Sequence, residues 1–169
     1  MLDKSSIHLM VPSVPGLELR SATSGDLELL RHWKNAQREF FFYQREISEI
    51  EQIQWFNDFT LRNNDIMLMN VLNKKAFGCM GIRWKSDHWD VYNVILGLPE
   101  YGKRGLMGRA FTRLLDFAIT LKVAPITLEV LKHNPAITWY QRQGFCITSE
   151  HETHFDMSYH TKYDSGAII

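Results

Sequence analysis

The residues with the clearest capacity for chemistry lie in one run, Pro99-Glu100-Tyr101-Gly102-Lys103-Arg104-Gly105-Leu106-Met107-Gly108. Three glycines in seven positions, Gly102, Gly105 and Gly108, leave the backbone amides accessible. The run follows a strand-like segment and opens the longest helical pattern in the chain. The first turn of a helix has free N–H groups and carries the positive end of the dipole. Lys103 and Arg104 add positive charge. Together these features make an anion cradle suited to phosphate or pyrophosphate. The run is neither a P-loop nor the dinucleotide fingerprint, because the spacing of its glycines and lysine fits neither. An ordinary glycine-rich strand-to-helix turn has the same composition, and the run alone does not separate the two.

A second segment runs from Leu128 to Phe145, LEVLKHNPAITWYQRQGF. A strand-like stretch ends near Asn134, and a short helix carries Tyr140 toward Gly144. Taken singly, Asn134 reads as a helix cap and Tyr140 as a packed aromatic. Asp90, Tyr92 and Glu129 fall on strand-like runs, with His88 adjacent and His133 in a loop. Cys79 and Cys146 are the two cysteines, and they form neither a disulfide framework nor a zinc spacing. No metal site is expected.

These residues need elements to position them. Leu17–Ala22 alternates as a strand, and Thr23-Ser24-Gly25-Asp26 opens a helix with Leu27, Leu30 and Trp33 on its buried face. Ser48 and Glu51 form a capping box for a second helix. Ile66–Leu72 and Ala76–Trp84 read as a hairpin around Asn73-Lys74-Lys75, and Trp89–Leu98 as a further strand interrupted by Asn93 and Gly97. Gly105–Lys122 is the longest helix, with Met107, Ala110, Phe111, Leu114, Ala118 and Leu121 on one stripe. Ile126–Leu131 is a strand, Ala136–Gln143 a short helix ending at Gly144, and Phe145–Met157 one or two closing strands. Residues 1–15 read as a loose arm, 16–160 as a single domain and 161–169 as a tail. Three consecutive strands among strand–helix alternation predict an α/β (α+β) mixed sheet with helices on both faces.

Composition narrows the function classes. The chain has 169 residues, with 19 Lys plus Arg against 19 Asp plus Glu. A zero net charge removes the electrostatic support that nucleic-acid binding needs. No apolar run approaches the ~20 residues that span a bilayer. Met1–Ser6 lacks the basic and apolar regions of a secretory leader, so a cytoplasmic location and no membrane partner are expected.

In order and spacing, the two chemical segments resemble the GNAT superfamily of acetyl-CoA-dependent N-acetyltransferases. The first matches that family's pyrophosphate loop, with Gly102 where Gln or Arg is usual and Met107 where Gly or Ala is usual. The second matches its strand, Asn and Tyr-x-x-x-Gly-Phe segment, and Glu152–Met157 resembles its last strand. The resemblance spans residue 17 to about residue 160. It implies a mixed, mostly antiparallel sheet of about 6–7 strands with about 4 helices, splayed between strands 4 and 5.

The resemblance also implies roles. Leu96, Gly97 and Leu98 would end the fourth strand beside the pantetheine arm, where free backbone groups bind the arm as an added strand. One N–H there would polarise the thioester carbonyl. Lys103, Arg104, Gly105, Leu106, Met107 and Gly108 would hold the pyrophosphate, and Asn134 the arm. Tyr140 would be the general acid toward the departing thiolate; Asp90 or Glu129, on strands that should border the cleft, is the candidate base, with a water chain as the alternative. With no cysteine in either segment, direct attack in a ternary complex is expected. The acceptor wall is expected from Trp33, Asn35, Phe42, Trp55 and Trp84. A Trp-x-Asn segment followed by Trp-Phe slightly favours an amino sugar among small-molecule amines. A protein N-terminus and a non-catalytic acyl-CoA sensor are the alternatives, and a homodimer is compatible with the fold.

Overall fold

The computed structural model describes residues 3–160. The expected tail, residues 161–169, lies outside them. Eight strands form one sheet: β1 (His8–Met10), β2 (Leu17–Ser21), β3 (Asp65–Leu72), β4 (Lys75–Lys85), β5 (His88–Leu96), β6 (Ile126–Leu131), β7 (Phe145–Glu150) and β8 (His154–Tyr159). Their order is β1-β2-β3-β4-β5-β6-β8-β7. Every pairing is antiparallel except β5–β6, which is parallel. The helices are α1 (Leu27–Ala36), α2 (Glu49–Leu61), α3 (Leu106–Leu121) and α4 (Ile137–Arg142).

Local chemistry accounts for the elements. Ser48 Oγ accepts from the Glu51 amide at 3.2 Å, and the Glu51 carboxylate accepts from the Ser48 amide at 2.7 Å, closing the capping box of α2. Asn73 and Lys74 both take positive φ (49° and 69°), as a two-residue hairpin turn demands. Leu106, Ala110, Phe111, Leu114, Leu115 and Ala118 form the buried stripe of α3, whereas Leu121 is exposed. Helices cover both faces, so β3 is buried along its whole length. Ile66 and Leu68 join the α3 core, while Met67 and Met69 join the α1–α2 core with Leu30, Trp33 and Phe59.

The expectation of a loose arm over residues 1–15 is corrected for its described part. His8–Met10 pairs with Glu18–Arg20 as an eighth strand, one more than expected. Ile7, Leu9 and Val11 are buried. Their alternation spans five residues beside Pro12, too short to be distinctive in sequence. The Arg109 and Arg113 side chains of α3 donate to the carbonyls of Ser13 and Met10, tying this segment down.

The expected splay lies between β5 and β6, which become the fourth and fifth strands when β1 is left out. They pair only through Trp89↔Ile126 and Asp90↔Thr127 before diverging. Gly97, just past β5, serves α1 rather than the gap. A Cβ on it would lie 2.1 Å from the Trp33 ring. Gly97→Ala is therefore expected to destabilise the fold by about 2–3 kcal/mol, the upper range of core overpacking. A lowered urea midpoint at unchanged m-value would record it.

Candidate active site

The site begins with a bulge. Cys79 faces Ile95 and Gly81 faces Tyr92, so Asn93 and Val94 stand opposite the single Met80. Asn93 takes φ 48°, a conformation that Asn tolerates better than most residues. Beyond it, the amides of Gly97 and Leu98 both donate to the Phe77 carbonyl, at 2.8 and 3.0 Å. Alternation along the strand turns the backbone groups of Leu96 away from β4 and into the gap. The Leu96 carbonyl accepts from Gln37 Nε2 at 2.8 Å. Of the three residues expected beside the arm, Leu96 faces the gap. The backbone N–H groups of Gly97 and Leu98 are spent within the sheet, and the bulge is at Asn93.

On the α3 side a cavity of about 690 Å³ is lined by Val94, Leu96, Gly102, Lys103 and Gly105–Arg109, and by Trp139, Tyr140 and Gln143. Lys103 (φ 57°) and Gly105 (φ 71°) both adopt left-handed backbone. The first bond into α3 is from the Arg109 amide to the Gly105 carbonyl, 3.2 Å. The amides of Leu106, Met107 and Gly108 thus have no acceptor within the helix. Leu106 is buried, and the Met107 sulfur receives a contact from Asn70 Nδ2 at 3.3 Å. Side chains turned to the core leave backbone facing the cavity, as an anion cradle requires. Arg104 is exposed, its guanidinium 5.4 Å from the Tyr101 ring, and does not line the cavity. Arg109, Thr112 and Gln143 do; their place on the exposed side of a helix turn hid them in sequence.

A second cavity, about 220 Å³, fills the gap itself, and a third, about 360 Å³, lies on the α1–α2 side. The cavities share walls in series. Val94 and Tyr140 line the first and second, while Lys34, Tyr43, Arg83, Tyr92 and Asn93 line the second and third. Tyr140 is buried, which pushes its phenol well above the ordinary tyrosine range. It stays protonated at neutral pH, with a proton to donate. Asn134 lines the gap, but both ends of its amide are occupied: Nδ2 donates to the Phe40 carbonyl (3.2 Å) and Oδ1 accepts from the Ala136 amide (2.8 Å). It pins the aromatic run at Phe40 to the loop before α4.

The two expected bases differ in setting. Asp90 is buried, and one carboxylate oxygen meets both Arg83 Nε (2.7 Å) and Lys85 Nζ (3.2 Å). Two cations on one oxygen make it a structural anchor rather than a free base. Glu129 is exposed at the rim of the gap.

Lys34, in the last turn of α1, stands out. Its amine bonds Asn93 Oδ1 and lies 3.2 Å from the centroid of the Phe41 ring. Burial lowers its pKa to about 7. Cys79 lines the 360 Å³ cavity, but burial pushes its thiol up to about 12, so it is no nucleophile at neutral pH. Lysine within a helix carries no sequence signal for such a setting.

The expected acceptor wall is redrawn. Trp33 is a core residue against Gly97, and Trp84 packs on Trp89 and Lys122, away from all three cavities. Asn35 bonds both backbone groups of Ile47, at 2.8 and 2.9 Å, and holds the loop between α1 and α2. Trp55 lines the 360 Å³ cavity, and Phe42 lines the gap, with its ring edge-on to His154. Tyr43 and Ile47 were not anticipated. His88 pairs with Asp87, and His133 bonds the Glu39 carbonyl.

A splayed mixed sheet with an anion-cradling helix terminus on one face and a pocket on the other defines an acyltransferase architecture. The sequence profile of the acetyltransferase (GNAT) family matches residues 28–145, and the chain belongs to that family. It is an acyltransferase. No curated protein matches it by sequence. Among solved structures, it is similar to the spermidine N-acetyltransferase from Vibrio cholerae in complex with CoA and spermine, at TM-score 0.72 and 21% identity over 86% of this chain and 95% of that one. It is also similar to the acetyltransferase from Salmonella typhimurium that modifies the N-terminal serine of ribosomal protein L7/L12, at 0.72 and 13% over 90% and 96%. A third is the PaiA N-acetyltransferase from Thermoplasma acidophilum in complex with coenzyme A, at 0.64 and 14% over 86% and 99%. These identities establish a shared fold. Among the described residues no helix is long and apolar enough to cross a membrane.

The lowered Lys34 pKa makes a stability prediction. Folding disfavours its proton, so the unfolded chain binds more protons between about pH 7 and the free lysine value of about 10.4. The cost is absent above that window and complete below it. Lys34→Met should therefore raise Tm, relative to wild type, progressively more as pH falls from 10 to 7. A calorimetric pH series checks this.

Proposed function

We propose that this enzyme transfers an acetyl group from acetyl-CoA to a primary amine of a small molecule by direct attack in a ternary complex. The observation that carries the reading is the series of cavities, from the open amides of α3, past Tyr140 in the gap, to a pocket on the other face. A pyrophosphate fits the amides of Leu106–Gly108 with Lys103 and Arg109 nearby. A pantetheine arm then runs along the free edge of β5, adding to it as a strand would. Bound there, acetyl-CoA supplies an activated acyl thioester.

The remaining chemistry belongs to the chain. The Leu96 amide, turned into the gap, is suited to donate to a thioester oxygen, an interaction worth ~3–4 kcal/mol as charge develops. Tyr140 donates toward the leaving sulfur. Since burial raises its pKa, it works through a hydrogen bond and relays a solvent proton rather than resting as tyrosinate. The high thiol pKa of Cys79 supports direct attack over an acetyl-enzyme.

The 360 Å³ pocket, with Trp55, Tyr43 and Ile47, has room for a small amine. Two of the residues that favoured an amino sugar, Trp33 and Asn35, serve packing and loop anchoring instead. Nucleotide-linked amino sugars, aminoglycosides, polyamines, amino acids and N-terminal peptides are thus the natural test panel. Incubation with acetyl-CoA and each pool, read by mass spectrometry, should give a product one acetyl heavier in one small-molecule pool. Product in the peptide pool alone overturns the acceptor class, and no product together with no thermal shift by CoA overturns the reading.

Tyr140→Phe should lower kcat by on the order of 10²-fold or more while leaving the acetyl-CoA Kd within about twofold. Unchanged kcat, by steady-state and binding titrations, removes Tyr140 from the acid role.

A further inference from the structure

We propose that Lys34 is the general base, taking the proton from the acceptor amine as it attacks. The proposal rests on the acetyl-transfer reading above and names the group that this reading leaves open. Lys34 lines both the acceptor-side pocket and the gap cavity, and Tyr140 lines the latter as well. Its amine is held by Asn93 Oδ1, the side chain of the bulge three residues before Leu96, and by the Phe41 ring. An amine so placed, uncharged for much of the time near neutrality, has a lone pair to offer.

The other ionisable groups around these cavities are paired or held protonated, except Glu129. From β4, Arg83 is paired with Asp90, and Cys79 is held as the thiol. From β5, Asp90 carries two cations and the Tyr92 hydroxyl is bonded to Asp65. From α2, the Glu51 carboxylate accepts from Ser48 and from the Tyr43 hydroxyl. From β6, Glu129 is exposed at the rim. From α4, Tyr140 is held protonated.

The step balances. The amine nitrogen attacks the thioester carbon; the C–N bond forms and the C–S bond breaks, with its electron pair leaving on sulfur. The amine proton passes to Lys34 Nζ, and from there to solvent. The thiolate takes a solvent proton through Tyr140. The products are the acetamide and the free CoA thiol.

The test is the pH dependence of kcat, at saturating acceptor, with two acceptors whose amine pKa values differ. The wild-type acidic limb should fall near pH 7 for both. Lys34→Gln should reduce kcat on the order of 10²-fold and abolish that limb. Lys34→Arg should lose as much, because a guanidinium keeps its proton. A wild-type limb that follows the acceptor's own pKa, or a limb and kcat that survive Lys34→Gln, overturns the base. A direct readout is the titration of the Lys34 side chain in protein labelled with [13C]lysine, its resonance assigned by loss in Lys34→Gln. A midpoint near 7 supports the proposal, and one near 10 overturns it whatever the acceptor. If wild type transfers acetyl to no acceptor, the acetyl-transfer reading itself falls, and this one with it.

Discussion

The structure depends on the abandonment of pairing between β5 and β6 after two residue pairs. Unpaired backbone groups in the middle of a sheet are costly, and folded proteins rarely leave them without partners. Beyond the break, the bulge at Asn93 puts an extra residue into β5, a feature that bends a strand. The gap gives β5 a free edge inside the molecule and brings the two faces of the sheet together at one place. A long cofactor on one face and a compact acceptor on the other can then meet over a short distance.

The helices hold the gap open by contacts that run to β5 or its end. Trp33 of α1 lies flat against Gly97, Lys34 bonds Asn93, and Gln37 bonds Leu96, so successive turns of one helix grip one strand. On the opposite face Leu106 and Met107 anchor the first turn of α3 in the core. The backbone of that turn is left facing outward. The N-terminal segment completes the arrangement through Arg109 and Arg113, which reach from α3 to the carbonyls of Ser13 and Met10.

The electrostatic consequence is a pair of groups in the same cavity whose charged forms burial disfavours. Burial favours the uncharged form of every ionisable side chain, raising acids and lowering bases. At Tyr140 that keeps the proton on, and at Lys34 it takes the proton off near neutral pH. One environment thus favours a donor in one group and an acceptor in the other. Asp90, the carboxylate buried in the wall of the same gap, is instead paired with two cations.

Much of this was legible in the sequence. The glycine pattern at 102–108, the capping box at Ser48 and Glu51, the hairpin at Asn73 and the stripe of α3 are local rules, and they hold because neighbouring residues enforce them. The anion-cradling turn and Tyr140 were found the same way, from adjacent residues in a fixed order. What was missed depends on distant pairs. Gly97 read as an interruption of its strand beside the arm until Trp33, 64 positions away, occupied its space. Trp33 and Asn35 resembled a substrate wall until their packing and hydrogen bonds were seen. Ile7, Leu9 and Val11 form a strand because β2 offers an edge. Lys34 is an unremarkable helical lysine in the chain, and only the folded environment removes its water and shifts its proton. The amino-acid sequence by itself determined most of the elements, the glycine-rich turn before α3 and the family. Tertiary structure decided which polar groups are desolvated and which are already paired, because burial and partnership are properties of the packed molecule rather than of residue order.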